Sequence, residues 1–280
     1  MKPRQFEYVR PRDLATALEC LAKGGARPLA GGQTLIPQLS FRQIKVECLV
    51  DISRLDELKE IVRDGDRYLL GAGVTAEHAI DFFTRIGDLA GLTEALSFVG
   101  CREIRHRATL GGMIGAALPE SQFLAFGLAA GAEVLIQTSE HRRSCALEDL
   151  LLGVESLALR PRELITGISL PVDQPATRTG LEELRKQRPG QAMVGVALYG
   201  IRQPGKWSAV RVVRFQRGSV ARRWRSVEDD LLAGRLQVPE DPSSAGAARD
   251  GRQSFDPFSE HVATHLLERL LIRLGGGTAC

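Results

Sequence analysis

The sequence has few cysteines and no motif that pairs them. Its five cysteines among 280 residues are scattered, with an odd total and no C-x-x-C pair. This distribution argues against a disulfide framework and against an iron–sulfur cluster or zinc ion held by this chain alone. We therefore predict a reduced protein without a metal site of its own.

Long apolar runs and an excess of one charge are also missing. No run approaches the roughly 18 apolar residues of a membrane span, and the charged start MKPRQFEYVRPRD lacks the apolar stretch of a signal peptide. Lys and Arg number 37 against 34 Asp and Glu, which is too small a bias to indicate nucleic-acid binding. We expect a cytoplasmic protein with no membrane span and no nucleic-acid partner.

Several motifs of enzyme chemistry are absent or incomplete. The sequence has no P-loop, no G-x-S-x-G and no Cys and His in a catalytic context, so we assign no catalytic residue. Residues 71–76, GAGVTA, match G-x-G-x-x-A, but the nearest later acid, Asp88, does not end a strand, which favours a plain turn. His261 and His265 would share a helix face, yet Val262 replaces the Glu of H-E-x-x-H, which favours a solvated or subunit-facing surface.

Short strand and helix signals alternate along the chain, and its length suggests about two domains. Apolar spacing at Leu14, Leu18 and Leu21 predicts a helix that Asp13 can cap. The other predicted helices are 34–41, 76–83, 88–98, 123–130 and 260–274. The predicted strands are 6–9, 28–30, 48–52, 59–62, 68–70, 134–137, 164–170, 193–201 and 209–213. Polar composition predicts a linker at 172–179 and a surface loop at 239–253.

Two glycine pairs are the strongest candidates for a binding site. Residues 27–37, RPLAGGQTLIP, place Gly31 and Gly32 between a strand and a helix, where bare amides can point at phosphate oxygens. An ordinary tight turn would have the same sequence. The second pair, Gly111 and Gly112, follows the hydroxyl of Thr109. Together the two loops could hold the two phosphates of a dinucleotide from opposite sides.

The segments AGGQTLIP and, from Arg105, R-x-x-x-T-L-G-G carry a family resemblance. They resemble signatures of the FAD subunits of molybdenum hydroxylases, such as carbon monoxide dehydrogenase medium subunits, xanthine dehydrogenase and nicotine or caffeine dehydrogenases. Four further segments follow the family's order and intervals: FEYVRPRDLATAL, CLVDISRLDELKEI, GAGVTAEHAI and RELITGISLP. The resemblance covers approximately residues 5–200 and, more loosely, the closing helix near 259–274.

The resemblance implies an α+β fold. A two-part FAD-binding domain of the vanillyl-alcohol oxidase (PCMH-type) fold would occupy residues 1–55 and 56–173. A small α/β C-terminal domain would follow at 178–276. The same resemblance implies a non-covalent FAD, and we interpret His106 as a polar loop residue rather than a covalent flavin anchor.

Residues that hold FAD are implied position by position. The first segment would wrap the pyrophosphate with Leu29, Ala30, Gly31, Gly32, Gln33, Thr34, Leu35 and Ile36. The second would meet it from the other side with Thr109, Gly111, Gly112, Met113 and Ile114. Gln122 belongs to the same set, and Ile165 would lie near the flavin ring or its chain.

At four positions the sequence has an apolar or neutral residue where the family pattern has a polar or acidic one. Met113 replaces an Asn, Leu118 and Gln122 replace Asp residues, and Gly190 replaces an Asp near the start of the third block. Each hydrogen bond lost to the cofactor would cost about 0.5–1.5 kcal/mol of affinity.

The implied function is that of an oxidoreductase component, the FAD-binding electron-transfer subunit of a heteromeric molybdenum hydroxylase. Its FAD would take electrons from a small [2Fe-2S] subunit and pass them to an external acceptor, while a large subunit with the molybdenum cofactor hydroxylates the substrate. The four departures favour an alternative, a structural subunit of the same complex that has lost FAD. A stand-alone flavin oxidoreductase is a further alternative, although the short third block leaves little room for a substrate domain.

Overall fold

The computed structural model describes residues 2–186, 192–204, 206–236 and 257–275, so Gly190 and the predicted loop at 239–253 lie outside the described residues. The chain forms two compact units. The first unit comprises Met1–Phe82, Val99–Ala117 and Ala132–Pro171, and the second comprises Phe83–Phe98, Leu118–Gly131 and Val172–Cys280. Helices and strands are mixed in both, which confirms the predicted α+β class. The finer division at 1–55, 56–173 and 178–276 stays a prediction.

The first unit contains two sheets and a hairpin. Its elements are β1 (Glu7–Val9), α1 (Leu14–Ala22), β2 (Ala26–Leu29), α2 (Leu35–Ser40), β3 (Cys48–Asp51), a 3₁₀ turn (Asp56–Leu58), β4 (Ile61–Asp64), β5 (Arg67–Gly71), α3 (Ala76–Ile86), α5 (Arg102–Arg105), α6 (Leu110–Ala116), β6 (Glu133–Gln137), β7 (Arg142–Ala146), α8 (Leu147–Leu150), β8 (Leu151–Gly153), β9 (Ser156–Leu157) and β10 (Leu164–Pro171). The chain passes into the second unit within α3.

The second unit is built on one sheet with helices. Its elements are α4 (Ala90–Ser97), α7 (Gln122–Ala130), β11 (Thr177–Arg185), β12 (Ala192–Gln203), β13 (Lys206–Gln216), β14 (Ser219–Arg223), α9 (Arg225–Leu232) and α10 (Pro257–Gly275). Among the helices that the structure describes, none is both long and apolar enough to pass through a membrane.

The small sheet of the first unit is parallel, with the strand order β1-β3-β2. Parallel neighbours need a crossover, which α1 and α2 provide. The side chain of Asp13 caps α1 by accepting from the Thr16 amide at 2.7 Å, as the sequence predicted, and Leu18 and Leu21 pack with Val50 of β3. Because the strands run in one direction, their carboxyl ends meet at one edge of the sheet.

The second sheet of the first unit is antiparallel, with the order β4-β5-β10-β6-β7. Seven of the nine predicted strands correspond, within a few residues, to strands of this sheet or of the small parallel sheet. β7, with the sequence RRSCA, was not predicted because its alternating residues are polar or small and leave no apolar pattern.

In the second unit the antiparallel sheet β11-β12-β13-β14 has helices on both faces. Val194, Val196 and Leu198 of β12 form a core with Leu267 and Leu270 of α10. The intervening residues face the opposite way, where Tyr199 meets the ring of Phe126 on α7. Successive side chains of β12 thus point to opposite faces of the sheet, and both faces are buried.

The predicted linker at 172–179 is wrong for its last three residues. Strand β11 already begins at Thr177 and pairs with β12 from Thr177 to Arg185. A Cβ atom at Gly180 would lie 2.7 Å from the side chain of Leu270, so the strand approaches α10 closely where a polar run had indicated a loop.

In the second unit, Asp173, which follows β10, lies close to Asp88, which precedes α4. The backbone amide of Asp173 donates to the Asp88 carboxylate at 3.2 Å, and the same oxygen accepts from the Leu89 amide at 2.7 Å. Burial, and then the charge of Asp88, raises the pKa of Asp173 from 3.8 to about 6. Burial also raises the pKa of the neighbouring Tyr199.

We expect Asp173→Asn to stabilise the protein at pH 8 and to change its stability little at pH 4. Because the folded pKa is raised above the unfolded value of 3.8, the cost of Asp173 grows as the pH rises and is fully present above pH 6. Its removal should raise the free energy of unfolding by about 1 kcal/mol at pH 8, a value discounted for partial exposure. Urea unfolding at both pH values measures this, with the exposed Asp66→Asn as control. Equal effects of D173N at both pH values would contradict the prediction.

Candidate functional site

A cavity of about 430 Å³ opens at the carboxyl edge of the small parallel sheet. Each strand contributes residues where it ends: Tyr8 and Arg10 from β1, Leu29, Ala30, Gly32 and Ile36 from the loop after β2, and Asp51, Ser53 and Arg54 from β3. Arg107, which precedes the second glycine pair, completes the wall. Ligands of parallel α/β sheets bind at this edge because the strand ends leave a crevice there.

The first glycine pair shapes this cavity for two different reasons. A Cβ atom at Gly31 would overlap the carbonyl oxygen of Arg107 and lie 2.7 Å from its carbonyl carbon. Gly32 has a φ of +73°, in the left-handed region that favours glycine. Only glycine therefore fits both positions without rearrangement of the backbone.

The first loop leaves backbone donors unused. The Ile36 amide donates to the Gly32 carbonyl at 3.1 Å and begins α2. Within the part of the chain that the structure describes, the amides of Gly32, Gln33 and Thr34 make no hydrogen bond to protein. Successive unpaired amides in a turn form a concave anion-binding surface.

The second glycine pair differs, because its amides are already used. The Leu110 and Gly111 amides donate to the Val74 and Ala72 carbonyls, both at 2.9 Å, and the Gly112 amide donates to the Thr109 hydroxyl at 3.1 Å. A Cβ atom at Gly111 would lie 2.5 Å from the Cβ of Ala72. This pair therefore allows the loop to pack closely on the segment 71–75.

That segment is the turn predicted for GAGVTA. The Gly73 amide donates to the Leu58 carbonyl at 2.7 Å, and a Cβ at Gly71 would collide with the same carbonyl group. Thr75 forms an isolated antiparallel bridge with Thr109. Its glycines allow close backbone packing, in agreement with the prediction of a plain turn instead of a dinucleotide-binding loop.

The cavity carries a net positive charge. Asp51 is 5% exposed and accepts from the Tyr8 hydroxyl, from Arg10 Nε at 3.2 Å and from the Ser53 amide at 2.9 Å. Burial acts to raise the pKa of Asp51, but these hydrogen bonds outweigh burial and lower it below its ordinary value. The Asp51 carboxylate thus forms an ion pair with Arg10.

Two further arginines of the wall have no such carboxylate. Arg107 Nε donates to the Gly31 carbonyl at 3.4 Å, which ties the two glycine loops together. Among the described residues, Arg54 and Arg107 form no ion pair. Their guanidinium groups, beside the unused amides of the first loop, favour an anionic ligand.

Glu77 positions the helix that leads to Arg107. Its side chain is 8% exposed and accepts from Arg102 Nε at 2.8 Å and from Arg105 Nε at 2.7 Å. Both arginines belong to α5, immediately before His106 and Arg107. A single buried carboxylate therefore fixes one end of the second loop.

The other predicted site residues have mixed surroundings. Met113 is half-buried, whereas Ile114 is fully buried and Ile165 on β10 is 6% exposed. Gln122 belongs to the second unit, where its side-chain amide donates to Glu183 at 2.7 Å. Glu183 also accepts from Arg185. At Gln122 the side chain is thus occupied by a protein carboxylate.

Sequence reasoning missed six residues of this cavity: Tyr8, Arg10, Asp51, Ser53, Arg54 and Arg107. A signal was present for most of them, because five lie in or directly after the strands predicted at 6–9 and 48–52. The rule that ligands bind at the carboxyl ends of parallel strands would have selected them. Arg107 carries no comparable signal.

Comparison with known proteins decides the family. Residues 4–173 match the family described as the FAD binding domain in molybdopterin dehydrogenase. The chain belongs to this family. The predicted membership, the oxidoreductase class and FAD as the family's cofactor are thereby confirmed.

Relatives extend the likeness over most of the chain. It is 30% identical to the 6-hydroxypseudooxynicotine dehydrogenase complex subunit alpha of Paenarthrobacter nicotinovorans, over 90% of this chain and 86% of that one. It is 28% identical to the carbon monoxide dehydrogenase medium chain of Hydrogenophaga pseudoflava, over 89% and 87% of the two chains.

Solved structures of this family have the same fold. A chain of carbon monoxide dehydrogenase from Hydrogenophaga pseudoflava superposes with a TM-score of 0.87 and 25% identity, covering 98% of this chain and 99% of that one. A chain of quinoline 2-oxidoreductase from Pseudomonas putida 86 gives a TM-score of 0.87 and 25% identity, covering 99% of both. The predicted two-part FAD-binding fold agrees with these neighbours.

Proposed function

We propose that this chain is the FAD-binding electron-transfer subunit of a heteromeric molybdenum hydroxylase. It would receive electrons from a small [2Fe-2S] subunit and pass them to an external acceptor, while a large subunit with the molybdenum cofactor carries out hydroxylation. The observation that carries this proposal is the positively charged cavity with unused amides, which lies within the segment matched by the family. Names of the relatives, such as medium chain and complex subunit alpha, support a multi-subunit assembly. A cytoplasmic location stays a prediction.

The residues present fit a dinucleotide diphosphate. We propose that the amides of Gly32, Gln33 and Thr34, with Arg54 and Arg107, hold the phosphate oxygens. Leu29, Ala30, Gly31, Leu35 and Ile36 would form the apolar and backbone wall beside them. Bound FAD supplies a ring system that accepts electrons singly or in pairs, and the protein supplies binding and electrostatics.

The second loop has a different role in this proposal. Because the amides of Gly111 and Gly112 already donate within the protein, contacts from Thr109, Gly111, Gly112 and Met113 would come from the loop surface and the Thr109 hydroxyl. The buried Ile114 and Ile165 would support the site through packing. Gln122 stays in the predicted set, although its amide donates to Glu183.

A second candidate function is a structural subunit of the same complex that has lost FAD. The commitment of Gln122 to Glu183 and the half-buried Met113, at positions where the family pattern has polar side chains, favour it. Purification of the native complex, followed by extraction and spectroscopy of flavin, separates the two functions. We expect about one FAD per chain. A small fraction of one would reject the FAD subunit and support the structural alternative.

Charge reversal tests the residues of the cavity. Arg54→Glu is expected to weaken FAD retention about tenfold, because it places a carboxylate beside a diphosphate. Arg107→Glu should do the same. The matched control is Arg63→Glu, since Arg63 is an exposed arginine of β4 outside the cavity wall. Dissociation constants from fluorescence titration of the flavin-depleted protein would measure the effect, and equal values for R54E and R63E would count against this placement.

A further inference from the structure

The last helix carries a pair of imidazoles with an unusual geometry. His261 and His265 lie four residues apart on α10, and their Nε2 atoms are 3.1 Å apart. Nδ1 of His265 lies 3.2 Å from a carboxylate oxygen of Glu268. The Glu268 side chain is 6% exposed, that of His265 is 40% exposed, and His261 is exposed. The pair therefore faces solvent above a buried carboxylate.

The distance between the two nitrogens suits one metal ion. Two imidazole nitrogens each about 2.0–2.1 Å from a common ion, at this separation, subtend roughly 95–100° at the metal. That angle lies between the octahedral and the tetrahedral values. Both Nε2 atoms can therefore bind one ion without a large movement of either ring.

Glu268 orients the nearer imidazole. An ionised carboxylate only accepts hydrogen bonds, so Nδ1 of His265 is the donor in this contact and Nε2 keeps its lone pair. Histidine ligands in metal sites commonly have a carboxylate on the second nitrogen, which fixes the tautomer and raises the basicity of the first. Glu268 is thus a positioning residue.

The helix holds this arrangement rigidly. Ala263, Leu266, Leu267 and Leu270 of α10 belong to the core of the second unit. Packing of that face fixes the rotation of the helix, so His261 and His265 are held on one side of it, away from the core. Within residues 257–275 and the other described segments, no three His, Cys, Asp or Glu side chains converge as a metal site. Among the described residues, the site therefore offers two imidazole nitrogens to an ion.

We propose that His261 and His265 form a two-histidine site for a divalent first-row transition metal ion, with Glu268 as the positioning residue. This site is independent of FAD binding. Nitrogen ligands of this kind bind more tightly in the order Co²⁺, Ni²⁺, Cu²⁺.

Calorimetric titration of the full chain with Ni²⁺ tests the proposal. We expect one saturable site, tighter for Ni²⁺ than for Co²⁺. His261→Ala and His265→Ala should each weaken binding at least tenfold, and Glu268→Gln should weaken it by about tenfold or more. His141→Ala is the matched control, because His141 is an exposed histidine of the first unit.

The His261→Ala variant distinguishes loss of the metal contact from loss of the fold. His261 is exposed, so its replacement should leave the unfolding temperature unchanged and isolate the metal contact. Unaltered Ni²⁺ affinity in H261A, or an equal loss in H141A, would overturn the proposal. The absence of a saturable site in the wild-type chain would also overturn it.

Discussion

Gly31→Ala is expected to destabilise the protein by about 3 kcal/mol and to abolish retention of FAD. The added methyl group would overlap the carbonyl of Arg107, and that obstacle is backbone, which cannot turn aside as a side chain can. The two glycine loops must therefore separate. Their separation would also displace the Arg107 guanidinium from the cavity wall.

Urea unfolding and the flavin content of the purified protein measure the two effects of G31A. Gly115→Ala is the matched control, because Gly115 lies in α6 with open space around its Cβ position. Alanine favours helix over glycine, so G115A should gain about 0.5–1 kcal/mol and keep its flavin. A G31A protein as stable as wild type with a full complement of FAD would refute the role of this close approach.

Glu77→Ala is expected to cost about 2 kcal/mol of stability and to reduce FAD retention. The variant leaves Arg105, which is 19% exposed, with the Gly100 carbonyl but without its carboxylate acceptor, and it releases Arg102, which is more exposed and contributes less. The helix α5 would lose its anchor, so Arg107 would no longer be held beside Gly31.

The pH dependence of this variant has a definite sign. The hydrogen bond from Arg105 outweighs burial and holds the pKa of Glu77 below its ordinary value of 4.5. The stabilisation is therefore present above pH 4.5 and is lost as the pH falls through the lower folded value. The difference in unfolding free energy between wild type and E77A should be smaller at pH 3.5 than at pH 7. The exposed Glu19→Ala on α1 is the control. A gap of constant size at all pH values would argue against the ion pairs.

Much of the first unit follows from local sequence rules. Asp13 caps α1, the spacing of Leu18 and Leu21 gives its buried face, and the strands around it carry short apolar runs. These signals depend on neighbours within a few residues, which is why they can be recognised without a fold. The strands β7 and β11 were not predicted because their polar or small residues leave no apolar pattern, although each pairs with a strand that is its neighbour in the sequence.

In the candidate site, too, local sequence predicts some features, whereas others depend on contacts between distant residues. The glycine pairs and the family were predicted from the sequence, because a loop that needs glycine keeps it at a fixed place between a strand and a helix. That Gly31 meets Arg107, and that Gly111 meets Ala72, are contacts across long stretches of chain. Hence the sequence could not distinguish a loop with unused amides from one whose amides are already bonded.

The sequence by itself determined the α+β composition, the order of the elements that carry an apolar pattern, the glycine loops and membership in the flavin-subunit family. Only the tertiary structure decided which charges share the cavity, since Asp51 pairs with Arg10 while Arg54 and Arg107 have no carboxylate partner among the described residues. It also decided that the Gln122 side-chain amide donates to Glu183 and that His261 and His265 are in contact on α10. The reason is physical: a side chain's chemistry is set by its type, but its partners are set by where the folded backbone brings distant residues together.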